Sequence, residues 1–233
     1  MKLNRKWLNE EFVDLSNVSD KEFVETLTVF GQKVETWERL DAEIKNVVVG
    51  KVLSMVRHPN SDHMWICQVD VGGDAPVQIV TGAQNVHEGD LVPAALHNSW
   101  LPGGVHITKG KLRGEPSNGM LCSFSELGLT QNDLPGVFAD GIWILNDEDC
   151  TIGEDINLVI GNDDTVVDFE ITNNRPDCYS IIGLAREAAA AFGKPMRHHE
   201  PVVHGSGAGD IYDHLDVDVP ATRLCNRYTS RMV

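Results

Sequence analysis

The 233-residue chain is short of several features that would assign its class at once. No apolar run approaches the roughly 20 residues that a membrane-spanning helix needs. The opening residues, MKLNRKWLNEEF, are charged but lack the apolar centre of an export signal. Membrane insertion and secretion are therefore not expected. Cysteine is scarce and odd in number: residues 67, 122, 150, 178 and 225, with no Cys-x-x-Cys pair. That argues against a disulfide framework and fits a reducing compartment, the cytoplasm. Cations are outnumbered, 19 Lys and Arg against 35 Asp and Glu, and a net charge of −16 counts against a nucleic-acid partner for the chain as a whole. Aromatics are only 6% of residues, so stacking platforms are few: Trp65, Trp100 and Phe124 precede Trp143 in the middle of the chain.

The shortage of positive charge is uneven. Between Lys45 and Arg113 six cations (45, 51, 57, 109, 111, 113) face five carboxylates (62, 70, 74, 88, 90), with histidines at 58, 63, 87, 97 and 106. This stretch is +1 and the rest of the chain −17. Only the middle is suited to meet a phosphate backbone.

What is present reads as mixed structure. Leu3, Trp7, Leu8 and Phe12 suit a short amphipathic helix or turn. Ser19-Asp-Lys-Glu22 is a capping box leading into Phe23, Leu27 and Phe30, with Gly31 as the stop; these aromatics are expected in a core. Residues 32–40 alternate like a strand, and Trp37 within them is likewise expected in a core. From Val47 the period is two: strands are expected at 47–56, 65–71, 77–81, 91–96, 105–112 and 141–145, separated by Gly, Pro, Asn and Asp turns. Five or six short strands with one late capped helix, Ser123-Phe-Ser-Glu126, point to a small Greek-key barrel of the OB type. A strand at 166–171 and a helix at 180–192 follow, the helix with Ile181, Leu184, Ala185, Ala188 and Phe192 on one side and Gly193 as its cap. Residues 197–213 read as a linker. New strands are expected at 215–219 and 228–233, and the pattern stops there, as in a piece of a longer protein. Neither flank is large enough for a core alone. The fold class expected is α+β: an OB-fold β-barrel over 41–159 inserted into a discontinuous α+β domain of residues 1–40 plus 160–195, then 196–233 as linker and start of a further domain.

Residues 104–129 hold the chemistry of most interest. Lys109, Lys111 and Arg113 alternate on the expected strand and would share one face, running into an Arg113-Gly114 bend and a polar loop, 115–119. Phosphate contact is one reading and a solvated face the other. No metal site is expected: His58, Asp62 and His63 lack a fourth partner at suitable spacing, Asp62, Asp70 and Asp74 lack the Gly and closing Glu of an EF-hand, and His198, His199 and His204 fall in the linker. Cys122, in an apolar run, reads as a buried structural thiol. Arg175 and Asp177 read as a lock on the turn around Pro176.

Several stretches carry a resemblance: Val49-Gly-Lys-Val52, His58-Pro-Asn-Ser-Asp62, Ile79-Val-Thr-Gly-Ala-Gln-Asn85, Leu112-Arg-Gly114, Ser117-Asn-Gly-Met-Leu-Cys-Ser123 and Glu126-Leu-Gly-Leu129. Beyond them stand Phe169-Glu-Ile-Thr-Asn-Asn-Arg-Pro-Asp-Cys-Tyr-Ser180 and Gly183-Leu-Ala-Arg-Glu187. Together they resemble the N-terminal part of bacterial phenylalanine–tRNA synthetase beta subunits, with an EMAP-type tRNA-binding OB domain in the middle. Ser61, His63, Met64, Thr81 and Asn173 depart from the family pattern, and His63 replaces a permanent cation. The resemblance implies RNA contact at Lys51, Arg57, His58, Asn85, Lys109, Lys111, Arg113, Ser117 and Asn118. It implies no catalytic residue and no cofactor in this chain, with ATP and Mg2+ used by the parent enzyme. The implied partners are tRNA(Phe) and the alpha subunit of a heterotetramer of two alpha and two beta chains, without membrane or DNA. A free-standing EMAP-like module for RNA binding or synthetase docking is the alternative.

Overall fold

The computed structural model describes residues 1–135, 137, 140–146, 148–198, 200, 202 and 209–230. They form two compact units, Met1–Arg197 and His198–Val233. In the first, β1 (Lys2–Asn4) runs into α1 (Arg5–Trp7), which widens into a π-type turn over Leu8–Phe12. α2 (Asp20–Val29) begins where Ser19 Oγ accepts from the Glu22 amide at 3.2 Å, satisfying one of the amides a helix N-terminus leaves free. Gly31, at a φ of 102°, turns the chain out of it and into β2 (Val34–Arg39). Six strands come next: β3 (Lys45–Arg57), β4 (Trp65–Asp70), β5 (Val77–Thr81), β6 (Leu91–Leu101), β7 (Val105–Ile107) and β8 (Gly110–Leu112). β9 (Glu115–Ser117), β10 (Gly119–Leu121), a 3-10 turn at Ser125–Leu127, α3 (Ile156–Val159), β11 (Thr165–Phe169) and α4 (Ile181–Phe192) complete the unit.

β11 lies between β1 and β2, antiparallel to both, so Leu3, Val167 and Trp37 form one cross-strand row. Leu3, Leu8, Phe12, Phe23, Leu27, Val167, Phe169, Leu184 and Ala188 form one core with this sheet. Phe23 meets Phe169 edge-on at 6.5 Å and stacks on Phe192 at 6.1 Å. α4 supplies its small-residue stripe to that core, capped by Ser180 and closed by left-handed Gly193. Three aromatics expected inside are outside, among them Trp37 of β2 at 43% exposed. Phe30 is 59% exposed because α2 ends at Val29 and leaves it at the cap, and Trp7 is 50% exposed because Leu8 and Phe12 take the inward side of the turn.

The second sheet runs β10-β6-β3-β4-β5, all antiparallel, with β7 on β6. A register shift between Val52 and Ser54 bends the long β3. Gly50 allows β4 close: a Cβ there would stand 2.6 Å from Val69 Cγ1. The sheet curls into an antiparallel half-barrel, and the Asn118 amide, just before β10, donates to the Gln78 carbonyl of β5 at 2.9 Å. The 3-10 turn opens on the expected capping box, with Ser123 N to Glu126 Oε2 at 2.7 Å and Glu126 N to Ser123 Oγ at 3.3 Å.

Three expectations for this region are corrected. Residues 105–112 are not one strand: β7 pairs with β6 and β8 with β9, and Thr108 and Lys109 belong to neither. Residues 115–119 are not a free loop, since Glu115–Ser117 pairs as β9 and Gly119 opens β10. Residues 141–145 lie outside a regular ladder: Gly141 and Ile142 form a bend, Ile142, Trp143 and Leu145 are buried, and the Trp143 amide donates to Cys122 O at 3.1 Å and the Leu145 amide to Leu91 O at 2.8 Å.

In the second unit Asp210 caps a single turn, Ile211–Asp213. Residues 215–219 form no strand; a strand needs a neighbour, and none is present among the described residues of this unit. Of the strand expected at 228–233, residues 228–230 are not in one and 231–233 lie outside the described residues, as do His199 and His204.

Candidate nucleic-acid interface

The cationic stretch forms a two-stranded ribbon, β8 against β9, turning through Arg113 and Gly114 at φ 48° and 101°. Two positive φ values across a two-residue loop match the right-handed strand twist, which explains the Arg113-Gly114 pair. Lys109, Lys111 and Arg113 are all exposed on this ribbon. Alternation along one strand does not align them, however: Lys109 precedes β8 and Arg113 sits in its turn.

Three of the nine residues implied as RNA contacts are positioned as braces. His58 is only 4% exposed; its Nδ1 accepts from the Asn60 amide at 3.0 Å, which leaves the proton on Nε2, 3.0 Å from the Leu112 carbonyl. It therefore fastens the 58–64 turn to the turn end of the ribbon, helped by Asn60 Nδ2 on the Arg113 carbonyl at 3.3 Å. Ser117, also 4% exposed, accepts from Val80 N at 3.0 Å and donates to Gly119 O at 2.9 Å, tying β9 to β5. Asn85 brackets Ile142, donating to its carbonyl at 2.8 Å and accepting from its amide at 3.1 Å. The burial of His58 and Ser117, and the hydrogen bonds of all three within the chain, set these side chains to holding the surface in place.

The others face outward. Lys51 is exposed on β3, and Asn118 is exposed between β9 and β10. Arg57 lies 3.9 Å above the Trp65 ring and donates to the Asp62 carbonyl at 2.8 Å. The sequence missed one neighbourhood. Across the β3-β6-β7 row, Lys45, Trp100 and His106 stand side by side, all exposed, because the Pro102-Gly-Gly104 turn folds His106 back opposite Trp100.

Charge is sorted between the two sheets. Arg5–Asp20, Lys6–Asp163, Lys21–Glu25, Lys33–Glu170, Arg39–Asp41 and Arg175 with Asp177 and Glu187 are ion pairs. Among the described residues, none of Lys45, Lys51, Arg57, Lys109, Lys111 and Arg113 forms one. The curled sheet thus presents unneutralised cations, whereas the acidic remainder neutralises many of its own.

Potential metal ligands converge, among the described residues, at Asp177, Cys178 and Glu187. There the Arg175 guanidinium already donates to both carboxylates, at 2.9 Å to Asp177 and 2.6 Å to Glu187, and holds both below the usual carboxylate range. Burial pushes the Cys67 thiol up to about 11 and Cys122 up to about 12, away from nucleophilic use. No helix is long and apolar enough to cross a membrane among the described residues.

Residues 47–139 match the family model described as "Putative tRNA binding domain". The whole chain is 47% identical to 28% of the phenylalanine–tRNA ligase beta subunit of Clostridium acetobutylicum. It is 44% identical to 28% of that of Clostridium tetani and 40% identical to 29% of that of Geobacillus kaustophilus. The chain spans less than a third of the length of these relatives. A solved structure of the C-terminal domain of Plasmodium vivax p43 covers 48% of this chain and 59% of its own at 22% identity, with a TM-score of 0.34, too low to bear on the fold. The chain is thus similar along its full length to part of the phenylalanine–tRNA ligase beta subunit, and residues 47–139 within it are similar to the putative tRNA binding domain.

Proposed function

We propose that this chain is the N-terminal, tRNA-binding and structural portion of a phenylalanine–tRNA ligase beta subunit. It supports the ATP- and Mg2+-dependent charging of tRNA(Phe) in a cytoplasmic assembly of two alpha and two beta subunits. No step of the reaction falls to its own residues. The curled sheet is read as a Greek-key OB barrel over 41–159, inserted into an α+β domain of residues 1–40 plus 160–195, with 196–233 leading into a further domain. The single observation that carries the reading is the sorting of charge. Cations already paired with carboxylates gain little from a phosphate, while unpaired exposed ones release condensed counterions when they reach it. Lys45, Lys51, Lys109, Lys111 and Arg113 are of the second kind, and Arg57 adds a guanidinium on an aromatic face. His58, Ser117 and Asn85 act beneath them by fixing the loops. The free-standing module has no comparable support, because the similarity continues beyond residue 139 to the end of the chain. Fluorescence anisotropy with a tRNA(Phe) transcript at 50 and 200 mM salt tests the reading. Binding at low salt that weakens steeply at high salt is expected; no binding at either concentration would contradict it.

A further inference from the structure

Trp100 and His106 stack face to face, ring centroids 4.3 Å apart and planes within 10°. Trp100 is 42% exposed and His106 is exposed, so the stack stands in solvent. On the far side of Trp100 is Lys45, its direct cross-strand partner, likewise exposed and without an ion pair among the described residues. β7 is an edge strand here. β3 occupies the other edge of β6, so β7 and β10 both pair along the same edge, β7 at Ser99–Leu101 and β10 at Ala94–Leu96. A groove of about 300 Å³ opens beside them, lined by His106, Ile107, Gly110, Lys111, Leu112 and Met120. His97 faces the same region, its Nδ1 accepting from the Lys109 amide at 3.1 Å. Its neighbour Asn46, which donates to the His97 carbonyl at 2.9 Å, holds a left-handed turn at φ 58°.

This row combines what a single-stranded segment needs: an exposed π-face, cations on both sides of it, and an adjoining slot with an apolar floor. A purely structural pair would bury its rings, as Phe23 and Phe169 do in the other core. Protein docking would also use an exposed tryptophan, but the flanking charge here is Lys45, Lys109 and Lys111 rather than a neutral rim, which favours a polyanion.

We propose that the Trp100–His106 pair is a stacking platform for an unpaired nucleotide of bound tRNA, with Lys45 and Lys111 holding the phosphates on either side. The proposal deepens the tRNA-binding reading above and rests on it. The base is accepted by its π-face and not by hydrogen-bond readout, so the platform tolerates any base.

The test uses the 233-residue chain with a tRNA(Phe) transcript. Trp100→Ala should weaken binding about 5- to 150-fold, the range for loss of one base–aromatic stack, with the slope of log affinity against log salt unchanged. His106→Ala should also weaken binding, and Trp100→Phe should stay within about 3-fold of the parent, because a phenyl face still stacks. Tryptophan emission should be quenched by oligoadenylate in the parent and less so in Trp100→Phe. If Trp100→Ala fails to fold, His106→Ala and Trp100→Phe decide. Parent-like binding by His106→Ala, or equal losses in Trp100→Phe and His106→Ala, would overturn the platform. Unchanged tRNA affinity in Trp100→Ala beside a parent that binds would overturn it and leave the tRNA reading intact. Loss of alpha-subunit binding instead of tRNA binding would make the surface a protein contact and overturn it. A parent that binds no tRNA at low salt would overturn both.

Discussion

The imidazole of His58 bridges the Asn60 amide and the Leu112 carbonyl, 54 residues away in sequence, and so couples the 58–64 turn to the cationic ribbon. His58→Ala should therefore act through position and not charge. Two hydrogen bonds at a buried site are lost, a destabilisation of roughly 1–3 kcal/mol in urea unfolding. tRNA affinity should fall while its salt slope stays at the parent value. A reduced slope with unchanged stability would show instead that the ring meets phosphate directly.

Arg175 and Glu187 give a pH dependence whose sign is set by their geometry. Hydrogen bonds from Arg175 hold Glu187, and likewise Asp177, below the usual carboxylate range. A carboxylate depressed in the folded state stabilises fully above its unfolded value, about 4.3 for Glu, and that contribution is lost as pH falls through the folded value. Arg175→Gln should thus lower the urea midpoint clearly at pH 6, with the gap to the parent shrinking toward pH 3. A gap that is constant with pH would mean that the fork contributes packing alone.

Gly183 sits in the first turn of α4, where an added Cβ would stand 1.9 Å from the Asp177 carbonyl oxygen. No rotamer relieves a clash of Cβ with backbone, so the 175–178 turn would have to move away from the helix. Gly183→Ala should cost about 3 kcal/mol, toward the upper end for overpacking, and should lower the thermal midpoint. An alanine variant as stable as the parent would contradict the packing described here.

Local chemistry made much of this fold legible. Ser19, Ser123 and Ser180 cap their helical turns as their spacing suggests, Gly193 closes α4, and the alternation in β4 follows burial, whereas β5 and β6 bury consecutive residues at 79–81 and 92–95. What escaped is what depends on distant partners. Thr108 and Lys109 look like the middle of a strand, yet the chain changes neighbours there, from β6 to β9, and alternation carries no information about neighbours. His58 and Ser117 look like surface polar residues because their partners, the Leu112 carbonyl and the Val80 amide, lie far along the chain. The pairing of His106 with Trp100 is not legible in the sequence because a hairpin sets it, with a register that the Pro102-Gly-Gly104 turn decides. At the site, the sequence located the cations but not their shared ribbon or their lack of acidic partners.

The most direct measurement is the salt dependence of tRNA(Phe) binding by the Lys109→Ala/Lys111→Ala/Arg113→Ala chain beside the parent, with Asp70→Ala/Asp74→Ala/Glu88→Ala as control. Each phosphate contact on irregular or single-stranded RNA contributes roughly 0.7 to the slope of log affinity against log salt. Three lost contacts should flatten the slope by about 2 and weaken binding on any RNA sequence, while the acidic control binds no less tightly than the parent. A cation variant with the parent's slope and affinity would show that the ribbon is only a solvated face, and the claim that this sheet binds tRNA through its unpaired cations would be wrong.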